Sequence, residues 1–143
     1  MKKYSDLLIF GFTNIWYQPA IDKAEEHEII PGMTIKVISA PYFCATKLEA
    51  FKGRGAGDYL ASHDLEDIIT VIDGRAEIVD EISRAPEDVR EYISGKIAGL
   101  LKTGQFLDAL PGYLLPDDAS QGRLKILMER LTQIAEVNRS SAS

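Results

Sequence analysis

The chain is poor in the residues that build metal and thiol chemistry. Its 143 residues include one cysteine, Cys44, and two histidines, His27 and His63. A single thiol excludes an internal disulfide and any cysteine-rich zinc site, and it suits a reducing compartment. The two histidines have no partner at ligand spacing and read as surface residues. No apolar run approaches the roughly twenty residues of a membrane span. Met1-Lys2-Lys3-Tyr4 is not followed by the apolar core of a signal peptide, so the expected address is the cytoplasm. Positive charge is also short, with 16 Lys and Arg against 22 Asp and Glu and a net charge of −6. That excludes general nucleic-acid binding, which neutralises phosphates with Lys and Arg. Gly53, Gly55 and Gly57 follow a helical pattern rather than a strand, so they form neither a dinucleotide fingerprint nor a P-loop. No serine or cysteine has a base placed to activate it, which leaves Cys44 as a small core residue.

What is present suits one globular unit. Hydrophobic residues make up 45% of the chain and charged residues 27%, enough for a single core. One domain is expected over residues 1–137, with residues 138–143 as a frayed tail. "LLIFGF" (residues 7–12) is a short, continuously apolar run with the pattern of a buried strand. "FTNIWYQPAID" reads as a packed loop or a short helix, with Trp16 and Tyr17 as core. Pro31-Gly32 marks a turn, and the β-branched "MTIKVISA" behind it (residues 33–40) reads as a second strand. From Pro41 the period becomes helical. Phe43, Cys44, Leu48 and Phe51 share one helix that Gly53 stops, and Ser62 caps another lined by Leu65, Ile68, Ile69 and Ile72. "RAEIVDEIS" predicts a short helix. The next opens at Pro86, is lined by Val89, Ile93, Ile97, Leu100 and Leu101, and ends at Gly104. "QFLDALPGYLLP" predicts a buried bridge. The last helix starts near Asp117 and carries Leu124, Leu127, Met128, Leu131, Ile134 and Ala135 on one face. The expected class is α+β: about two short N-terminal strands followed by a helical array.

Three groups of residues could carry chemistry. The glycine-rich connector from Phe51 to Asp67 reads locally as a flexible interhelical loop. Asp64 and Asp67 lie three apart and project from one helix face. Such a pair can hold a metal or orient a hydroxyl, or simply favour the positive end of the helix macrodipole. Asp64 and Glu66, two apart, point away from each other. Lys47 lies beside Phe43, Ala50 and Phe51, where it either snorkels to solvent or is aimed at a phosphate.

Taken together, "GFTNIWY" and "VISAPYFCATKLEAFKGRGAGDYLASHDLEDIITVIDGR" resemble bacterial proteins of the nucleotidyltransferase superfamily. The likeness is to the branch near the AbiEii-type toxins of toxin–antitoxin systems, and to its C-terminal portion. It spans about residues 6–135 and is most specific between Ser39 and Arg75. In that family a lysine in the "A-T-K-L-E-A-F" helix contacts nucleotide phosphate and an aspartate of the "D-L-x-D-I" helix supports the site. The resemblance therefore implies Lys47 and Arg54 as nucleotide-binding candidates and Asp64 and Asp67 as catalytic candidates.

The family's upstream Gly-Ser motif and Asp-x-Asp strand have no counterpart here. Those motifs hold the triphosphate and Mg²⁺ for in-line displacement. This implies a truncated or degenerate nucleotidyltransferase-like domain that is not catalytic alone and acts through weak nucleotide binding or protein assembly. One alternative is an active nucleotidyltransferase using NTP and Mg²⁺, completed by a partner chain or by carboxylates such as Asp6 and Asp58. Another is a plain homodimeric interaction protein. Two apolar strands with few partners invite pairing with another chain. A homodimer is expected through the N-terminal forty residues, with Phe10, Phe12, Trp16 and Tyr17 as aromatic anchors. A leftover phosphate ligand at position 47 would make Lys47→Met harmless, whereas a buried ion pair there would make it costly. The resemblance favours the harmless outcome.

Overall fold

A computed structural model of the protein describes residues 14–52, 59 and 62–138. The first strand expected from the sequence, residues 7–12, lies outside them, as do Asp6, Phe10, Phe12, Arg54, Asp58, the three connector glycines and residues 139–143. The fold is α+β, with a two-stranded antiparallel sheet followed by a helical array.

The described chain starts with Asn14, whose side chain donates to the Thr46 carbonyl at 2.8 Å and accepts from the Trp16 amide at 3.0 Å. These bonds fix the entry into helix α1, Tyr17–Asp22. Trp16 is buried, its ring 5.1 Å from that of Tyr92 and 6.4 Å from that of Tyr42. The core reading of Trp16 therefore holds, and the same burial removes it from any surface contact.

Strand β1, Glu25–Ile30, and strand β2, Met33–Val37, form a hairpin around Pro31-Gly32. Gly32 has φ +84°, the left-handed conformation that a turn with proline before it needs at this position. An irregularity between Glu28 and Ile30 sets Ile30 opposite Met33. β2 is the strand expected from "MTIKVISA", ending at Val37 because Ser39 already precedes the first helical residue, Ala40. β1 was not expected. Its "EEHE" opening looks like a solvated loop, and it is solvated here as well, since every residue of both strands is exposed.

Helix α2, Ala40–Ala50, opens with Pro41 in its first turn, where the missing N–H costs nothing. Helix α3, His63–Gly74, is capped by the Ser62 hydroxyl, which accepts from the Leu65 amide at 3.2 Å. Its Leu65, Ile68, Ile69 and Ile72 are all fully buried, as the spacing predicts. Helix α4, Ile78–Ser83, is short, and helix α5, Glu87–Leu101, follows directly after Pro86. Gly104 does not end α5. That helix stops at Leu101, and Gly104 is the first residue of helix α6, Gly104–Ala109, which leads into a 3₁₀ turn, Leu110–Tyr113. The expected single C-terminal helix is two. Asp117 caps helix α7, Asp118–Gln121, by accepting from the Ser120 amide at 2.8 Å, and helix α8 is Leu124–Ala135. Asn138 accepts from Arg90 Nε at 3.1 Å, which ties the end of the described chain to α5.

Helices α2, α3, α5 and α8 enclose the core, with Ile78 and Ile82 of α4 and Phe106 of α6 inserted into it. The C-terminal end of α3 leaves carbonyls without intrahelical partners. Arg130 of α8 donates to the Ile72 and Asp73 carbonyls at 2.8 and 2.6 Å. Arg123 donates to the Asp73 carboxylate and carbonyl at 2.7 and 2.8 Å. Two arginines of one helix region thus cap another helix and fix its distance from α8.

Candidate functional site

The residues implied by the resemblance meet where α2 lies against α3. Lys47 sits in the last turn of α2, and Asp64 and Asp67 occupy the first turns of α3. Lys47 Nζ is 2.8 Å from Asp67 Oδ2 and 3.8 Å from Asp64 Oδ1. The Asp64 side chain is 7% exposed, that of Lys47 26% and that of Asp67 43%, so the cluster runs from the core to solvent. The ammonium also lies 5.6 Å from the centre of the Phe43 ring, one turn back on α2. Sequence reasoning named all three charged residues, and the structure brings them together. Arg54 lies outside the described residues.

The geometry favours one of the two chemistries considered for Lys47. An ammonium held between two carboxylates is not free to receive a phosphate. An arriving anion would have to displace Asp67 and would face Asp64 behind it. The cluster instead joins α2 to α3, and removing the lysine would take a cation away from the buried Asp64 carboxylate.

Two other reactive side chains among the described residues are engaged within the fold. Cys44 is fully buried, and burial with the nearby Glu81 carboxylate pushes its thiol up to about 12, the opposite of what a nucleophile needs. The Tyr92 phenol is also raised, by burial and by its hydrogen bond to Glu49, which ties α5 to α2. Among the described residues no group of three or more His, Cys, Asp or Glu is placed to hold a metal. One feature escaped the sequence reading because β1 was not foreseen. Glu26 and Glu28 sit two apart on a strand and so share one face. Across the ladder they meet Lys36 and Thr34, and Glu28 is turned to the Gly32 amide at 3.3 Å. They therefore belong to the turn and the ladder.

A cleft of about 660 Å³ opens between the hairpin and the helices. Its floor is apolar, from Ile38, Ala40, Phe43 and Val71. Its charged rim is internally paired: Arg75 grips Glu81 through two bonds of 2.6 and 2.8 Å, and His27 lies 3.5 Å from Glu25. The roof of the cleft is one face of the hairpin. The register sets Glu25 opposite Val37, His27 opposite Ile35 and Ile30 opposite Met33, which gathers the apolar residues on that face. Glu26, Glu28, Thr34 and Lys36 take the other face. The apolar residues are far from covered, with Ile30 57% exposed, Met33 51%, Ile35 44% and Val37 42%. Ile29, at the irregularity, is 56% exposed.

The connector that joins α2 to α3 is anchored at one described point. Tyr59 packs its ring 5.4 Å from that of Phe51, and its carbonyl accepts from the Tyr113 hydroxyl. Among the described residues no helix is long and apolar enough to cross a membrane. Comparison of the chain with protein-family models, with curated proteins and with solved structures gives no match.

Proposed function

We propose that this chain works by protein assembly rather than by catalysis. It is a helical body, degenerate from a nucleotidyltransferase-like scaffold, that presents a β-hairpin to a second copy of itself. The observation that carries this reading is the hairpin, an amphipathic two-stranded sheet whose apolar face is half open. Two strands alone are marginal in water, and three or more with an apolar face are needed for independent stability. A second copy supplies the missing strands and covers the apolar residues without any further component. The Lys47–Asp64–Asp67 cluster supports the same reading from the other side, because the lysine expected to meet phosphate is engaged by carboxylates.

Sedimentation velocity over a wide concentration range tests this. The expected result is a mass that rises from 15.8 kDa towards twice that value, and an Ile35→Asp variant that remains at the lower mass. A chain that stays at 15.8 kDa throughout contradicts the proposal. So does transfer of label from any of the four NTPs in the presence of Mg²⁺ or Mn²⁺ that is abolished by Asp64→Ala.

A further inference from the structure

Resting on that assembly reading, we infer which edge makes the contact and in what register. Strand β2 pairs with β2 of a second copy, antiparallel about a two-fold axis through Ile35.

The charge pattern selects the edge. β1 carries Glu25, Glu26 and Glu28 within four residues. A two-fold pairing of β1 with its copy would set carboxylates against carboxylates, and charged edges of this kind deter pairing. β2 carries a single charge, Lys36, among Met33, Thr34, Ile35 and Val37. Its outer edge is unpaired among the described residues, because the sheet contains only β1 and β2.

The register follows from symmetry. A two-fold axis perpendicular to the sheet keeps both apolar faces on one side, and it must then pass through a residue rather than between two. Only an axis at Ile35 overlaps all five residues of β2. It sets Ile35 opposite Ile35 of the partner subunit, Met33 opposite Val37 of the partner subunit, and Thr34 opposite Lys36 of the partner subunit.

The exposed tip then finds a place. Pairing in this register lays the turn end of each hairpin beside the root of the other, so Met33 comes to the apolar cleft walled by the partner's Val37. The cleft floor of Ala40, Phe43 and Val71 lies on the same side of the sheet as those residues. A four-stranded sheet in the order β1-β2-β2-β1 results, with its two acidic strands outermost and facing water.

Charge placement at Thr34 reads the register directly, since it lies on the polar face and has no role in the core. Thr34→Lys sets an ammonium against Lys36 of the partner subunit, twice by symmetry, and should weaken dimerisation about tenfold. Thr34→Glu should strengthen it by a similar factor, and Thr34→Lys combined with Lys36→Glu should return it close to the original constant. Oxidation of an Ile35→Cys variant should give a disulfide between subunits, because directly opposite Cα atoms lie within disulfide reach, whereas Lys36→Cys should not. Cys44 is 1% exposed and stays out of the reaction. A dimer whose constant ignores both charge variants, and which Ile35→Cys does not cross-link, overturns this edge and register while leaving assembly intact. A monomer at every concentration overturns both, and directs attention to residues 7–12 of the same chain as the cover.

Discussion

The helical body and the hairpin draw on the same apolar residue types and treat them in opposite ways. In the body, Ile68, Ile69, Ile72, Ile93 and Ile97 are each 1% exposed. In the hairpin, Ile29, Ile30 and Ile35 are 44 to 57% exposed. The body is also tied together by polar bonds: Ser62 and Asp117 cap helices, two arginines hold the end of α3, and Ser94 donates to the Ala135 carbonyl at 2.9 Å where α5 meets α8. Among the described residues the hairpin has its own ladder, the Glu25–His27 contact and one weak turn bond. The body completes itself, and the hairpin is completed from outside. Hydrophobic burial, which dominates folding, is spent on one region and left available in the other.

Core truncation should break this contrast most visibly. Ile69→Ala removes fully buried methylenes and should cost about 3–4 kcal/mol in denaturant unfolding, because the four surrounding helices cannot collapse onto the gap. Ile35→Ala, measured at dilutions where the chain is monomeric, should change stability by less than about 0.5 kcal/mol. Equal losses at the two sites would mean that the hairpin is packed against something within its own chain.

The next effect compares two lysines. Lys47→Met takes the cation away from the buried Asp64 carboxylate, and the expected loss is about 2–3 kcal/mol, below that of a fully buried pair because Asp67 is half exposed and screened. Lys36→Met, on the open face of the hairpin, should stay within about 0.5 kcal/mol. Urea midpoints measure both. No loss at Lys47 would restore the expectation drawn from the resemblance, in which that side chain is a leftover phosphate ligand.

How much of this was legible in the sequence depended on range. The start and the buried face of helix α3 could be read, since its cap and stripe are local: Ser62, then Leu65, Ile68, Ile69 and Ile72. The charged cluster was half legible. The spacing of Asp64 and Asp67 placed them on one face, but that α2 would dock with Lys47 between them is a tertiary fact with no local signal. Strand β1 was illegible for a physical reason. A strand is recognised by alternation over a core, and β1 has no core beneath it, so "EEHE" carries no such alternation. The split between α7 and α8 was missed because Asp117 is a good cap, and nothing in "DASQGR" before Leu124 announces that its helix lasts a single turn. The reversal at Gly104 has a similar origin, since a glycine after an apolar stripe reads as a stop whether or not another helix begins there.

Smaller effects should sharpen the picture of the body. Arg130→Met removes the donor to the Ile72 and Asp73 carbonyls while keeping most of the stem, and should cost about 1–2 kcal/mol as those acceptors lose a charged partner. Thermal unfolding of the two proteins checks it. The smallest effect lies in alkali. Burial raises the Tyr92 phenol above its ordinary value of 10.0, so the folded state holds a proton that the unfolded state releases. Stability from this group is complete below pH 10 and falls as pH climbs beyond it. Tyr92→Phe should flatten that decline, and an unchanged slope would place the alkaline sensitivity elsewhere.

Amide hydrogen exchange of the unaltered chain at two concentrations, one dilute and one near-millimolar, tests the division between the two regions most directly. The account predicts that protection of the β2 amides, from Met33 to Val37, rises strongly with concentration while that of α3, α5 and α8 stays constant. Protection of β2 that is the same at both concentrations would contradict it.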